Sequence, residues 1–191
     1  NEKNIDLRLN SKAVTIDKVA KTVTTAAGEV LPYDKLVIAA GSFPFVPPVP
    51  GHNREHCLVY RTIEDLEAIK AGAAVSKVGV VVGGGLLGLE AAKALRDLGL
   101  ETHVVEFAPR LMAVQLDEGG AKVLRRKIEA LGVKVHTEKN TLEIVDGENA
   151  RHVMKFADGS ALEKFKDMVR AQGGRTTTPW ATASRTSWAG A

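Results

Sequence analysis

The sequence predicts an α/β fold, in which a parallel βαβαβ sheet with a β-hairpin or meander accompanies the incomplete remnant of a second domain. Three observations carry this prediction. A run of β-branched residues ends in three glycines after Val82, a segment with helical apolar spacing follows, and a second short apolar run ends at Glu106. Short apolar runs are typical of strands buried on both faces, and strands that alternate with helices form parallel sheets.

The turn after the first of these strands has the spacing G-x-G-x-x-G. Gly83 permits a tight turn, Gly85 lets phosphates approach the backbone, and Gly88 allows the helix to pack closely on the strand. The first N–H groups of that helix have no intrahelical partner and favour an anion. The pattern therefore predicts a Rossmann-like dinucleotide site, formed by Gly83, Gly84, Gly85, Leu86, Leu87 and Gly88.

The second strand ends in a carboxylate at a position that suits ribose binding. Glu106 comes about 20 residues after the glycines and can accept hydrogen bonds from ribose hydroxyls. A negative charge there repels a 2′-phosphate, so NADH is expected rather than NADPH. A solvated carboxylate at a strand end is the alternative interpretation of Glu106.

Composition excludes several classes of function. No apolar run can span a bilayer, the first residues lack the order of a signal peptide, and a cytoplasmic protein is expected. The single cysteine, Cys57, cannot form an intrachain disulfide or a four-cysteine metal site, and we expect it in a connecting loop. From Glu163 onward the chain has five basic and two acidic residues, so this segment accounts for the whole net charge of +3. The rest of the chain is neutral, and nucleic-acid binding is therefore not implied.

The first part of the chain is predicted to form short strands over residues 5–9, 13–17, 22–25 and 36–40, with a turn around Gly28. The last of these segments is apolar throughout and is expected inside a larger sheet. A proline-rich connection follows up to residue 51 and predicts a domain boundary. A buried strand with no preceding partner indicates that the original domain began upstream.

The remaining elements follow from capping residues and periodicity. Thr62 and Asp65 predict a capped helix through about Lys70, and Asp117 predicts another that Gly132 ends. A third parallel strand is predicted at 133–136, a hairpin at 141–145 and 152–156, and little fixed structure after residue 166. The predicted domains are a β-rich remnant at 1–50, a linker and helix at 51–75, a dinucleotide-binding domain at 76–165, and the tail at 166–191.

These residues resemble the pyridine nucleotide–disulfide reductase superfamily, the flavoproteins with two dinucleotide-binding domains. Within it they are most similar to large subunits of NAD(P)H-dependent nitrite reductases. Four stretches carry the resemblance: residues 33–51, 59–66, 82–120 and 124–145. The glycine fingerprint is common to the superfamily, whereas the segment from Glu106 to Gly120 is more particular to nitrite reductases.

The resemblance implies further site residues. Ala40 and Gly41 correspond to a turn near FAD, where the family usually has Thr in place of Ala40. Leu87 and Glu90 correspond to residues beside the nicotinamide, although an ordinary exposed carboxylate is an equal alternative for Glu90. This sequence lacks three features of the family: its FAD fingerprint, a Thr-Gly-x-x-Pro turn, and the cysteines for siroheme and a four-iron cluster. The change in composition after residue 166 suggests a tail out of frame with the family.

The resemblance implies that the parent protein transfers hydride from NADH to FAD and passes electrons to a siroheme and iron–sulfur site that reduces nitrite to ammonia. No side chain is nominated as catalytic, since hydride transfer requires positioning rather than proton transfer. A fragment that retains only the NADH half is expected to be inactive on nitrite. The alternatives are part of a ferredoxin or rubredoxin reductase or an NADH oxidase, and a non-enzymatic NAD-binding fragment.

Overall fold

The computed structural model describes residues 5–41, 44–147, 152–165 and 167–170. The chain divides into two compact units, residues 1–41 and residues 42–191. The first unit is a three-stranded antiparallel sheet in the order β1-β2-β3. Its strands are β1 (Ala13–Asp17), β2 (Thr22–Thr25) and β3 (Val30–Pro32).

Two strands predicted in the first unit are absent from the described structure. Residues 5–9 and 36–40 have no strand conformation, and Leu7 and Val37 are 74% and 86% exposed. An apolar segment becomes a strand only when a neighbouring strand supplies hydrogen-bond partners, and neither segment is paired with a described strand. The predicted turn at Gly28 is confirmed, with φ of 83°, and it leads into β3, which was not predicted.

The second unit contains a five-stranded parallel sheet in the order β4-β11-β5-β6-β7. Its strands are β4 (Cys57–Val59), β5 (Val78–Val82), β6 (Glu101–Val105), β7 (Lys134–His136) and β11 (Asp167–Arg170). The predicted α/β class with a parallel sheet is confirmed. Cys57 lies in strand β4, so its predicted place in a connecting loop was wrong.

Strand β11 corrects the prediction for the end of the chain. It pairs with β4 on one side and β5 on the other, and Val169 is completely buried. The expectation of little fixed structure after residue 166 is therefore wrong for Asp167–Arg170. The rest of the predicted tail, residues 171–191, lies outside the described part of the chain.

Within the described residues, three helices accompany the sheet: α1 (Ile63–Ala73), α2 (Leu86–Asp97) and α3 (Glu118–Ala130). The capping box of Thr62 and Asp65 is confirmed, and α1 continues beyond its predicted end. Gly99 and Gly132 follow α2 and α3 with φ of 87° and 88°, the left-handed conformation that ends many helices.

The core lies on both faces of the parallel sheet. Val81 and Val104 pack with Leu95 of α2, whereas Val80 and Val105, which point to the opposite face, pack with Met154. That opposite face carries an antiparallel meander in the order β10-β9-β8. Its strands are β8 (Thr141–Val145), β9 (His152–Phe156) and β10 (Ala161–Phe165), so the predicted hairpin is confirmed and extended.

Candidate functional site

The glycine turn connects β5 to α2 at the edge where the parallel strands end. Gly83 has φ of 115°, a backbone conformation that side chains other than that of glycine rarely permit. Its N–H donates a hydrogen bond of 2.9 Å to the carbonyl of Val105, the last residue of β6. The tight turn predicted for Gly83 is therefore present, and it is tied to the neighbouring strand.

Gly85 forms the N-cap of α2 and leaves the start of the helix open. Its backbone is extended, with φ of −83°, and no side chain among the described residues caps the helix. A methyl group added to Gly85 would meet no described atom within 4 Å. The first intrahelical bond runs from the Leu89 N–H to the Gly85 carbonyl. A side chain at Gly85 would therefore point into free space, and the first N–H groups of α2 have no partner within the helix.

The three residues after Gly85 differ in exposure. Leu86 is 61% exposed, Leu87 is partly buried against the core, and Gly88 is buried within α2. The burial of Gly88 agrees with close packing of this helix on the sheet.

Glu106 follows β6 and its carboxylate reaches back to the glycine turn. One oxygen, Oε2, accepts a hydrogen bond of 2.6 Å from the Gly84 N–H, and Oε1 accepts one of 2.7 Å from the Ala108 N–H. Because a carboxylate offers about four acceptor positions, roughly two remain for ribose hydroxyls. The structure thus brings Glu106 and the turn together, and the side chain is partly buried rather than a freely solvated carboxylate.

A cleft of about 250 Å³ opens at the same edge of the sheet. It is bounded by the ends of β5 and β6 and by the segment that leads into β8. Its walls include Gly83, Val105, Phe107, Lys139 and Thr141. Phe107 is 72% exposed, so an aromatic ring at one wall of this cleft is accessible to solvent.

Lys139 is the one charged side chain among the described residues that line this cleft. Its ammonium group lies 2.5 Å from the Asp158 carboxylate and 5.3 Å from the centre of the Phe156 ring. The hydrogen bond from Lys139 lowers the pKa of Asp158, with a second contribution from Ser160.

The first turn of α2 contains no acidic side chain, so an anion at this helix end meets no repulsion from the helix's own first turn.

The remaining predicted site residues lie apart from the turn or in the other unit. Glu90 is an exposed residue of α2. Ala40 and Gly41 belong to the first unit, where both are exposed and Gly41 has φ of 73°. Their roles beside nicotinamide and flavin therefore stay predictions.

Sequence reasoning missed the residues that surround Gly84. Leu111 is buried against it, and the Met112 N–H donates a hydrogen bond of 3.0 Å to its carbonyl. Met112 has φ of 51°, and no pattern in the sequence predicts this left-handed backbone conformation for a methionine. The only signal in the sequence was the family-like segment after Glu106, in which these residues lie.

Two further findings concern metals and membranes. Within residues 5–41, 44–147, 152–165 and 167–170, no three His, Cys, Asp or Glu side chains are grouped so that they could hold a metal ion. None of the helices in this described part is both long and apolar enough to cross a bilayer.

Comparison with known proteins gives one family match over nearly the whole chain. The profile of the family described as pyridine nucleotide-disulphide oxidoreductase matches residues 1–188. The NAD(P)H nitrite reductase large subunit of Klebsiella oxytoca is 61% identical over 158 residues, which are 83% of this chain and 16% of that protein. The NADH nitrite reductase large subunit of Escherichia coli (strain K12) is 58% identical over 160 residues, 83% of this chain and 19% of that protein.

Among solved structures, the chain is similar to the ferredoxin reductase for the CYP199A2 system from Rhodopseudomonas palustris. The TM-score is 0.79 at 27% identity, over 92% of this chain and 43% of that one. The chain therefore spans less than half of this structure and between 16% and 19% of the two nitrite reductase subunits.

Proposed function

The chain belongs to the pyridine nucleotide-disulphide oxidoreductase family, and from that premise we propose that it binds NADH for a longer protein of the nitrite reductase large-subunit type. In that protein the nicotinamide delivers hydride to FAD for the reduction of nitrite to ammonia. Identities of 61% and 58% to two such subunits support the proposal. The observation that carries it is the uncapped start of α2 at Gly85, with open space before it and Glu106 beside it.

The diphosphate of NADH is assigned to the first turn of α2. The N–H groups of Leu86, Leu87 and Gly88 precede the first intrahelical bond and lie at the positive end of the helix dipole. Gly85 lacks the Cβ that would stand between these amides and the phosphates. Backbone donors at a helix N-terminus therefore bind the charged centre of the cofactor.

The adenosine half is assigned to Glu106 and the cleft beside it. The unused acceptor positions of Glu106 bind the ribose hydroxyls, and its charge disfavours a 2′-phosphate. The exposed ring of Phe107 offers an apolar wall for the base. One of the two compared subunits is named for NADH and the other for NAD(P)H, so the preference for NADH is part of the proposal.

The nicotinamide half is assigned to Leu87 and Glu90, with Ala40 and Gly41 near the flavin. When bound, the nicotinamide supplies a hydride to the flavin, and these residues only bind and orient the two rings. No side chain is required to move a proton in that transfer, so no catalytic residue is assigned. Residues 76–165 are proposed as the main part of the NAD(H) domain, whose parallel sheet also includes β4 and β11, and residues 1–50 as part of an FAD domain.

The siroheme, the iron–sulfur cluster and the site of nitrite reduction are assigned to other parts of the longer protein, which we place in the cytoplasm. A chain with only the NADH half has no route for the electrons to nitrite. The expected result is NADH binding without nitrite reduction.

Titration calorimetry of the wild-type chain and Gly85→Ala with NADH tests the proposal. The methyl group causes no clash in the free protein, because no described atom lies within 4 Å of it. Against a bound diphosphate it should weaken binding by about 1–3 kcal/mol. Absence of NADH binding to the wild type, or equal affinity of both proteins, would contradict the proposal.

A second candidate is part of a ferredoxin or rubredoxin reductase or an NADH oxidase, favoured by the structural similarity to a ferredoxin reductase. A full-length homologue offered nitrite, ferredoxin, rubredoxin and oxygen in turn distinguishes these acceptors. A third candidate is a non-enzymatic NAD-binding fragment. An absorbance spectrum of the purified chain separates it, since bound flavin supports a reductase module and NADH binding without flavin supports the fragment.

A further inference from the structure

Gly84 is held on three sides by residues that follow β6. Its N–H donates to Glu106 Oε2 at 2.6 Å, and its carbonyl accepts from the Met112 N–H at 3.0 Å. A Cβ at this position would lie 2.6 Å from Leu111 Cδ2, and Leu111 is 1% exposed. The middle glycine of the turn therefore has its donor, its acceptor and one face occupied by the protein itself.

The segment that holds Gly84 is braced by its own hydrogen bonds. The Arg110 guanidinium donates to the carbonyls of Ala113 and Leu116, both at 3.2 Å. The second oxygen of Glu106 accepts from the Ala108 N–H. Met112 adopts φ of 51° at the point where its N–H reaches Gly84. The left-handed backbone conformation costs free energy for any residue other than glycine, so the surrounding contacts must hold Met112 in it.

We propose that Glu106 is a positioning residue for the glycine turn, in addition to the ribose role that rests on the proposed function. Its carboxylate, together with Leu111 and Met112, forms a clamp on Gly84 that sets the direction of the α2 amides before a dinucleotide arrives. Donors held in place in advance bind an anion without a further ordering cost. The clamp thus acts on any dinucleotide, whether or not it carries a 2′-phosphate.

This assignment differs from a role in cofactor choice alone. If Glu106 served only to repel a 2′-phosphate, Glu106→Gln would strengthen NADPH binding. A glutamine side chain, however, has one acceptor oxygen, and its amide group is a donor. In the position of the Glu106 carboxylate, the glutamine NH2 group would face either the Gly84 N–H or the Ala108 N–H, so one of the two hydrogen bonds is lost and the clamp on the turn loosens.

The test combines hydrogen exchange of the free chain with binding of NADH and NADPH, each measured for the wild type and Glu106→Gln. The control is Glu101→Gln, the same substitution at the opposite end of β6, where the carboxylate contacts His103 and Lys134 instead of the turn. In Glu106→Gln we expect exchange at the Gly84 or Ala108 amide to accelerate at least about tenfold, as loss of one charge-assisted hydrogen bond implies. NADH should bind about tenfold more weakly than to the wild type, whereas for NADPH the removal of the charge that repels a 2′-phosphate offsets part of the same loss.

The control should leave both amides and both affinities at their wild-type values. Unchanged exchange at both amides overturns the clamp. Faster exchange with unchanged NADH affinity overturns its role in positioning. If the wild type binds neither dinucleotide, the proposed function fails, while the exchange comparison still decides whether Glu106 holds the turn.

Discussion

The N-termini of α2 and α3 lie in the same unit but are built in opposite ways. Asp117 caps α3 by accepting a hydrogen bond of 2.7 Å from the Gly120 N–H, and Glu118 places a second carboxylate in the first turn. Helix α2 begins at Gly85 with neither a side-chain cap from the described residues nor an acidic residue in its first turn. One helix end is therefore closed by its own carboxylates, and the other is open.

The difference shows where the fold omits a local stabilising contact. A side-chain N-cap contributes about 1 kcal/mol to stability relative to alanine and roughly a few tenths of that relative to glycine, and the N-cap of α2 omits it. Helix α1 follows the rule as α3 does, with reciprocal hydrogen bonds between Thr62 and Asp65. Two of the described helices obey the rule and α2 does not, and this exception supports the proposal that an external anion takes the place of the cap.

The largest expected effect comes from closing the open helix end. Gly85→Asp gives α2 a carboxylate cap at a position where φ is −83° and space is free. The side chain would occupy and repel the diphosphate, so NADH affinity should fall by at least about 3 kcal/mol. The free chain should gain roughly a few tenths of a kcal/mol of stability. Calorimetry and urea unfolding measure the two effects.

The matched control for that substitution is Gly119→Ala in α3. A Cβ there would lie 3.6 Å from the Asp117 Oδ1 oxygen, which is an ordinary contact. Helix propensity predicts a gain of roughly 0.5–1 kcal/mol without a change in NADH affinity. Loss of NADH binding in this control, or its retention in Gly85→Asp, would remove the distinction between the two helix ends.

The second effect separates two neighbouring glycines within the open end. Gly84→Ala should destabilise the free chain by about 1–3 kcal/mol, because its Cβ would lie 2.6 Å from Leu111 Cδ2 and 3.1 Å from Glu106 Cβ. Gly85→Ala, with no described atom within 4 Å, should change stability much less. Urea unfolding of both variants checks this order. Equal destabilisation would mean that Gly84 is not packed as described.

The third effect is the loss of a cap at the closed end. Asp117→Ala leaves the Gly120 N–H without its acceptor and should cost about 1 kcal/mol of stability. NADH affinity should stay at the wild-type value, since α3 takes no part in the proposed site. Thermal unfolding and NADH titration of this variant, with Asp117→Asn as the conservative control, test both statements. A weaker affinity for NADH in Asp117→Ala would assign α3 to the site as well.

The smallest expected effect is a pH dependence in β6 and β7, the strands that continue the parallel sheet beyond β5. The His103 and His136 rings stack, with Nδ1 of the first 3.0 Å from Nε2 of the second, and burial lowers the pKa of both. For His103 the Glu101 carboxylate opposes this shift and Lys134 adds to it; for His136, Lys139 and Arg125 add to it.

The sign follows from the lowered pKa values. The unfolded chain takes up these protons as the pH falls through about 6.5, whereas the folded chain binds them only at lower pH. Stability should therefore be highest above that range and decline below it. Urea unfolding between about pH 7.5 and pH 5 should show this decline in the wild type and a shallower one in His136→Gln. An equal slope in both proteins would assign the decline to other groups.

Much of the second unit could be predicted because its signals are local. The β-branched run before Gly83, the caps at Thr62 and Asp117, and the left-handed glycines at helix ends depend on residues within a few positions of one another. Backbone sterics and orphan amides act over that same range. The glycine turn and the strand-end carboxylate could therefore be recognised in the sequence alone.

Strand pairing could not be predicted in the same way, since it depends on partners distant in the chain. Residues 36–40 are apolar and yet lie outside every described strand, whereas Asp167–Arg170 form β11 between β4 and β5. A strand's hydrogen bonds are supplied by its neighbours, so composition alone misjudged both segments.

By itself, the sequence determined the alternation of strands and helices, the open turn at Gly83–Gly85 and the acid that follows the next strand. Only the tertiary structure decided that Glu106 turns back onto Gly84 and that Leu111 and Met112 complete its enclosure. The reason is physical: backbone preferences act between neighbours along the chain, whereas Gly84 and Glu106 are 22 positions apart and meet only when β5 and β6 pair.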